Sequence, residues 1–247
     1  MIDKQEDLTS AIVYFCKMHC KQTKGIMVYG SFIEKNTTDY SDVDIFVIDE
    51  GEIEGKKIQK IINKFPIQAN IASFRMVLNS LMRSEKQGDF FYPKVLSTAY
   101  ILFDEYGLCS YLKKRANKII ANGPPMVEPN KVEHCRLALC NYLNDGGNIK
   151  YVGENLSENI IWASRAIMMC HDYILLNGNH WKCTNTKAKK DLLKLYYNDS
   201  YTQLNEILNT LLIDNNCFAF ASALKDVMGT FMSFDWNSKS PHHSILK

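Results

Sequence analysis

The 247-residue sequence has no long hydrophobic run, no internal repeat and no low-complexity tract. No stretch approaches the roughly 18 uninterrupted apolar residues that a membrane-spanning helix needs, so we expect no membrane span. The first seven residues are mostly charged or polar and lack the apolar core of a secretion signal. These absences predict a cytoplasmic protein with no membrane partner.

A strong excess of charge of either sign is also missing. The chain carries 29 Lys and Arg residues against 27 Asp and Glu residues, which gives a net charge of +2 and no long basic block. Proteins that bind nucleic acid usually present a basic patch or stripe. The charge therefore makes nucleic acid an unfavoured partner and favours a small substrate or another protein.

The eight cysteines do not have the paired spacing of a disulfide framework. Several lie inside apolar helical patterns, which is typical of reduced core thiols in a cytosolic protein. Cys16, His19 and Cys20 are of residue types that can ligate zinc and lie close together in the sequence. No second pair of such residues has the spacing that would complete a zinc site. A zinc site is therefore disfavoured.

Hydrophobic residues make up 46% of the chain, enough for a sizeable core. Up to residue 124, apolar runs predict strands at 25–31, 42–48 and 66–72, and helical periodicity predicts helices at 7–22, 54–64, 74–82 and 108–121. The turn Asn122-Gly123-Pro124-Pro125 is the clearest domain boundary. Beyond it the patterns are mainly helical, at 129–144, 156–177, 187–197, 201–213 and 217–233.

Two short polar motifs lie at the ends of two successive predicted strands. Gly30-Ser31 ends the first strand, and Asp42-Val43-Asp44 begins the second. Because side chains alternate along a strand, Asp42 and Asp44 point to the same side and favour a bound cation between them. A glycine lets a phosphate approach the backbone closely, and turn amides with the Ser31 hydroxyl can donate to its oxygens. The pattern predicts a Mg²⁺ site beside a phosphate-binding turn, the equipment for nucleotidyl transfer.

The order and spacing of these motifs resemble the signature of the DNA-polymerase-β-like nucleotidyltransferase superfamily. Within it, the chain is most similar to the kanamycin nucleotidyltransferase family, through Val28-Tyr29-Gly30-Ser31 and Tyr40-Ser41-Asp42. The resemblance implies an α+β protein: a small mixed-sheet nucleotidyltransferase domain over 1–124, followed by an all-α helical-bundle domain over 125–247. It also implies a homodimer.

The resemblance implies roles for particular residues. Asp42 and Asp44 would be catalytic and would hold Mg²⁺, and Gly30 and Ser31 would bind the nucleotide. Lys150 follows a Gly-Gly turn and is a further candidate for a phosphate contact, although a solvated surface lysine is the simpler interpretation.

Two departures from the family pattern concern the third metal ligand and the general base. The family has a third carboxylate on the next strand, and the best match here is Gln68, whose carbonyl oxygen can ligate a cation without bringing charge. The general base of the family is a glutamate of the helical domain, and Asp145 is the matching candidate. Asn144-Asp145-Gly146-Gly147 is also a good helix terminator.

The implied reaction moves a nucleoside monophosphate, AMP from ATP, onto a hydroxyl of a small acceptor. The family points to an aminoglycoside-like antibiotic as that acceptor, and hence to antibiotic resistance. Two alternatives stay open: a catalytically degenerate nucleotide- or partner-binding protein of the same fold, and a nucleotidyltransferase acting on a protein or tRNA. A third hypothesis rests on Arg165 and His171, whose order resembles the RNase motif of small helical domains.

Overall fold

A computed structural model describes residues 2–33, 41–146, 156–183, 185–214 and 216–234, without the side chains of 2–6, 145–146 and 210–214. The chain divides into two compact units, Met1–Pro124 and Pro125–Lys247. The division falls between the two prolines at which the sequence suggests a boundary. No helix in the described ranges is long and apolar enough to cross a membrane.

The first unit is built on a mixed five-stranded sheet. Its elements are α1 (Ile2–His19), β1 (Thr23–Tyr29), β2 (Val43–Asp49), β3 (Lys56–Ile62), β4 (Phe65–Ala72), α2 (Phe74–Gln87), α3 (Phe91–Thr98), β5 (Tyr100–Asp104) and α4 (Leu108–Asn122). The strand order is β3-β4-β2-β1-β5. Only β2 and β4 run parallel, and the other three pairs are antiparallel. This arrangement, followed by a helical unit, confirms the predicted α+β class.

The two faces of the sheet have different roles. One face packs against α1, and their shared core includes Ile12, Phe15 and Ile45. Since side chains alternate along a strand, Asp44 and Phe46 belong to the opposite face. There the Phe46 ring contacts Tyr92 of α3, with 6.2 Å between ring centroids. Helices α3 and α4 also contact β1.

Residues 54–64 are not a helix, as their periodicity suggested, but contain the edge strand β3. Ile58 and Ile62 lie two pleats apart and pack against the core, whereas Ile61 points the other way and is 75% exposed. Asn63 and Lys64 have positive φ angles of 47° and 73°, and they close a tight hairpin that brings β3 antiparallel to β4. The spacing of the apolar residues fits a helix and a strand equally well, and the tight turn and the pairing with β4 favour the strand.

A buried carboxylate joins two turns at one end of the sheet. Asp49, at the end of β2, is completely buried and accepts backbone N–H groups from Lys21 (2.7 Å), Gln22 (2.9 Å) and Gly51 (2.8 Å). Burial alone would raise the pKa of Asp49, but these three hydrogen bonds outweigh it and hold the pKa below its ordinary value. Asp49 thus ties the α1–β1 turn to the turn after β2.

The second unit is helical, with α5 (Pro129–Gly146), α6 (Leu156–Asn177), α7 (Thr186–Asp214) and α8 (Cys217–Met228) in the described ranges. Consecutive helices pack against each other, and α5 also packs against α8. The two patterns at 187–197 and 201–213 lie within α7, whose two helical segments are separated by a kink with non-helical backbone angles at Tyr197. All eight cysteines of the chain are free thiols, and six of them are buried.

Candidate functional site

The turn after β1 brings backbone close to the second aspartate. Gly30–Phe32 forms a short 3₁₀ turn, and Gly30 has a φ of +76°. A Cβ atom added to Gly30 would lie 2.6 Å from Asp44 Oδ2. Both the backbone angle and the close approach therefore require glycine. Ser31, predicted to bind nucleotide, lies in the same turn and is partly exposed.

The sheet brings Asp42 and Asp44 together at this turn. Asp44 pairs with Tyr29 of β1 on one side and with Gln68 of β4 on the other, and Asp42 lies just before β2. Burial, reinforced by the negative charge of Asp42, raises the pKa of Asp44 to about 6. A hydrogen bond from Gln68 opposes this shift. The negative charge of Asp42 thus reaches the Asp44 carboxylate, as expected of a cation site.

Gln68 lies directly beside Asp44 and offers it nitrogen, not oxygen. Its Nε2 donates to Asp44 Oδ1 at 2.8 Å, and its Oε1 accepts from Gln59 Nε2 at 2.6 Å. Gln59 is the register partner of Gln68 on β3. The three side chains therefore form one chain of hydrogen bonds from the edge strand to the carboxylate. The role of Gln68 as a metal ligand stays a prediction.

A second polar pair is formed by Tyr29 of β1 and Asn70, which lies two residues after Gln68 on β4. Asn70 Nδ2 donates to the Tyr29 hydroxyl at 2.7 Å, and Tyr29 is 6% exposed. Burial, followed in importance by the nearby charge of Asp44, raises the pKa of Tyr29, so the phenol stays neutral. This pair holds β1 and β4 in fixed relation on either side of Asp44.

Gln59 and Asn70 were missed by the sequence analysis. Asn70 could have been found from the period of two that begins at Gln68. Gln59 could not, because its strand was predicted to be a helix.

An open cleft of about 430 Å³ lies next to the carboxylates in the first unit. Asp42 and Gln68 form part of its wall, together with Gln59, Lys60 and Pro66 of the β3–β4 hairpin. The cleft is bordered by apolar as well as polar side chains. It offers room for part of a small ligand beside the site.

The side chains of two predicted site residues are outside the described part of the chain. Lys150 lies in the undescribed range 147–155. Asp145 belongs to the last turn of α5, and its side chain is not described. Their roles in phosphate binding and base catalysis therefore remain predictions.

The carboxylates fit a Mg²⁺ ion that arrives with phosphate. Within the described residues, no group of three or more His, Cys, Asp or Glu side chains could hold a metal. Mg²⁺ keeps several waters and is commonly bound by one or two carboxylates plus substrate phosphates. Asp42 and Asp44 supply such a pair, and the missing Cβ of Gly30 leaves space beside Asp44 Oδ2.

The Arg165 and His171 side chains have different environments. Arg165 is exposed and lies over the Tyr142 ring, 5.4 Å from its centroid. His171 is 7% exposed, and its Nε2 has no hydrogen-bond partner among the described residues. Burial, helped by the positive charge of Lys189, lowers the pKa of His171 to about 4. A buried neutral histidine is typical of a helical core and gives the RNase hypothesis no support.

Comparison with known proteins finds similarity only among solved structures. No protein-family model and no curated protein matches the chain. Among solved structures, the chain is similar to a nucleotidyltransferase-like protein from Exiguobacterium sibiricum, with 14% sequence identity and a TM-score of 0.46. The match covers 90% of this chain and 75% of that one.

Proposed function

We propose that this protein is a nucleotidyltransferase that moves a nucleoside monophosphate from a triphosphate onto a hydroxyl group and releases pyrophosphate. The observation that carries the proposal is the contact between the Gly30 turn and Asp44, with Asp42 beside it. The paired carboxylates can bind the metal of a metal–triphosphate complex. The adjacent turn, whose first residue lacks a Cβ atom, can bind its phosphates. The motif order in the sequence supports the same chemistry.

Each side chain has a role in this proposal. Asp42 and Asp44 hold Mg²⁺, and the ion neutralises charge on the transferring phosphoryl group when it is bound. The Gly30 backbone and the Ser31 hydroxyl orient the phosphates. Lys150 adds a cation to the same phosphates. Gln68 keeps Asp44 in one orientation through its hydrogen bond.

The acceptor and the assembly are inferred from the family resemblance. We take ATP as the donor and a small, aminoglycoside-like antibiotic as the acceptor, which would make the activity a form of antibiotic resistance. Asp145 would take the acceptor proton, and a homodimer would complete the active site. The small net charge of +2 favours such an acceptor over tRNA.

A second candidate function is nucleotide binding without turnover. Gln68 favours it, because an amide stands beside Asp44 where a further carboxylate would strengthen metal binding. Such a protein would bind ATP weakly or without Mg²⁺. Calorimetry with ATP, with and without Mg²⁺, combined with a transfer assay, separates the two functions: weak or Mg²⁺-independent binding with no transfer to any acceptor identifies the binding protein.

The test of the proposed function is pyrophosphate release from each labelled triphosphate, with Mg²⁺ and a panel of acceptors. We expect release to depend on acceptor and on Mg²⁺. Asp44→Asn should lower the rate by more than about a hundredfold, since it removes charge from a site that must hold a cation beside phosphates. Asp226→Asn, at an exposed position of α8, is the matched control and should have the wild-type rate. Equal rates for both variants would reject the assignment of Asp44.

A further inference from the structure

The two carboxylate oxygens of Asp44 face different groups. Oδ1 accepts the Gln68 N–H at 2.8 Å. Oδ2 faces Gly30, where an added Cβ would lie only 2.6 Å away. A ligand that approaches from the Gly30–Ser31 turn therefore meets Oδ2, while Oδ1 already has a positively polarised partner.

Gln68 is held in this orientation by the edge strand. Its carbonyl oxygen accepts from Gln59 Nε2 at 2.6 Å, so its nitrogen is the end left for Asp44. The two glutamines are register partners on β3 and β4, and their backbones fix the spacing. An amide NH₂ group has two donors and no lone pair for a metal. The Gln59–Gln68 pair thus presents a donor to Oδ1 and excludes a cation there.

We propose that this amide chain takes the place of a cation at Asp44 Oδ1. The site then binds a single divalent ion, at Asp44 Oδ2, and binds it firmly only together with a triphosphate. The phosphate part of this inference rests on the proposed function. The effect of the two glutamines on metal binding does not, because it concerns the protein side chains alone.

The experiment measures Mn²⁺ binding to the full-length chain by electron paramagnetic resonance. In the absence of nucleotide, we expect wild type to bind Mn²⁺ only weakly. Gln68→Glu places a third carboxylate beside Asp44 and should tighten nucleotide-free binding by at least about tenfold. With a non-transferable ATP analogue, wild type should hold one Mn²⁺ per chain and Gln68→Glu should hold two.

Two further variants make the comparison specific. Gln87→Glu adds the same charge at an exposed position at the end of α2, and it should bind Mn²⁺ like wild type. Gln59→Leu removes the donor that holds the Gln68 oxygen. It should tighten nucleotide-free binding severalfold, because the freed carbonyl oxygen can then turn toward the ion. If Gln68→Glu fails to fold, as judged by circular dichroism, Gln59→Leu still tests the inference.

Tight Mn²⁺ binding by nucleotide-free wild type would overturn the inference. So would a Gln68→Glu affinity no higher than that of Gln87→Glu, or two ions per wild-type chain with the analogue. Failure of the proposed function gives a different pattern. The Mn²⁺ series would follow expectation without nucleotide, while no analogue would bind to any variant.

Discussion

Gly30 is constrained by its backbone angle and by its neighbour at the same time. Its φ of +76° is costly for any residue with a Cβ atom. Its Cβ position also lies next to Asp44 Oδ2, where a phosphate-bound ion is expected. Glycine is therefore required at position 30 for two separate reasons, the backbone angle and the space beside Asp44. A substitution at a second glycine that meets only the first condition can separate them.

Gly30→Ala should lose about 1–2 kcal/mol of stability and at least about tenfold in nucleotide affinity. Gly107→Ala is the control. Gly107 has a similar φ of +70°, but nothing lies within 4 Å of its Cβ position. It should lose similar stability and keep nucleotide affinity. Urea unfolding and calorimetry measure the two quantities, and equal loss of affinity in both variants would contradict a steric role for Gly30.

At the residue scale, the parts of the site that lie close in sequence could be predicted. Gly30 and Asp44 follow from strand alternation and a short turn, which are local properties. The direction of the Gln68 amide could not be predicted, because it depends on Gln59 from another strand. The same holds for the contact of Asn70 with Tyr29, which joins residues 41 positions apart.

At the element scale, the β3–β4 hairpin carries Gln59 to the site. Its turn has two non-glycine residues with positive φ, Asn63 and Lys64. Asparagine tolerates this conformation, but lysine does so at a cost of about 1–2 kcal/mol. The hairpin therefore forms in spite of its turn sequence, because the pairing of β3 with β4 stabilises it.

Lys64→Gly should stabilise the chain by about 1 kcal/mol, because glycine adopts a φ of 73° without steric cost. Lys60→Gly, within β3, should have the opposite effect, since glycine weakens a strand interior. Urea unfolding compares both with wild type. A loss of stability in Lys64→Gly would mean that the lysine side chain makes a compensating contact.

The helix prediction for 54–64 failed for an identifiable reason. Ile58, Ile61 and Ile62 have the spacing of one helical face, but Ile58 and Ile62 also share one face of a strand. A seven-residue strand gives too few apolar positions to distinguish the two periods. The patterns from residue 129 onward also predicted helices, and the structure has helices at each of them.

At the scale of the whole molecule, we predict a homodimer with shared active sites. Closed two-fold symmetry is the commonest state of soluble homo-oligomers. Among the described residues of the first unit, the carboxylate pair has no obvious general base beside it. Asp42→Asn and Asp145→Asn subunits, each inactive alone, should regain activity when mixed. Light scattering checks the assembly, and a strict monomer at micromolar concentration would reject this prediction.

The stability of the helical unit should fall as the pH drops from about 6.5 to about 4. The folded pKa of His171 is about 4, below the ordinary value of 6.5, so the unfolded chain binds the proton more readily. The shift corresponds to about 3 kcal/mol, fully lost below pH 4. The groups facing the ring are Lys189 and Tyr201 of α7.

Tryptophan fluorescence can report this loss, because all three tryptophans lie beyond residue 125. His171→Leu should remove most of the dependence on pH between 6.5 and 4, whereas His134→Leu, outside the core, should retain it. A wild-type midpoint in urea that stays constant over this range would contradict the prediction.

The buried Asp49 carboxylate responds to acid in a different range. Its folded pKa is depressed, so its stabilisation is complete above the unfolded value of about 3.9 and is lost only as the pH falls through the folded value. Asp49 belongs to the sheet unit and His171 to the helical unit. Mild acid should therefore lower the stability of the helical unit at a pH where Asp49 still stabilises the sheet unit.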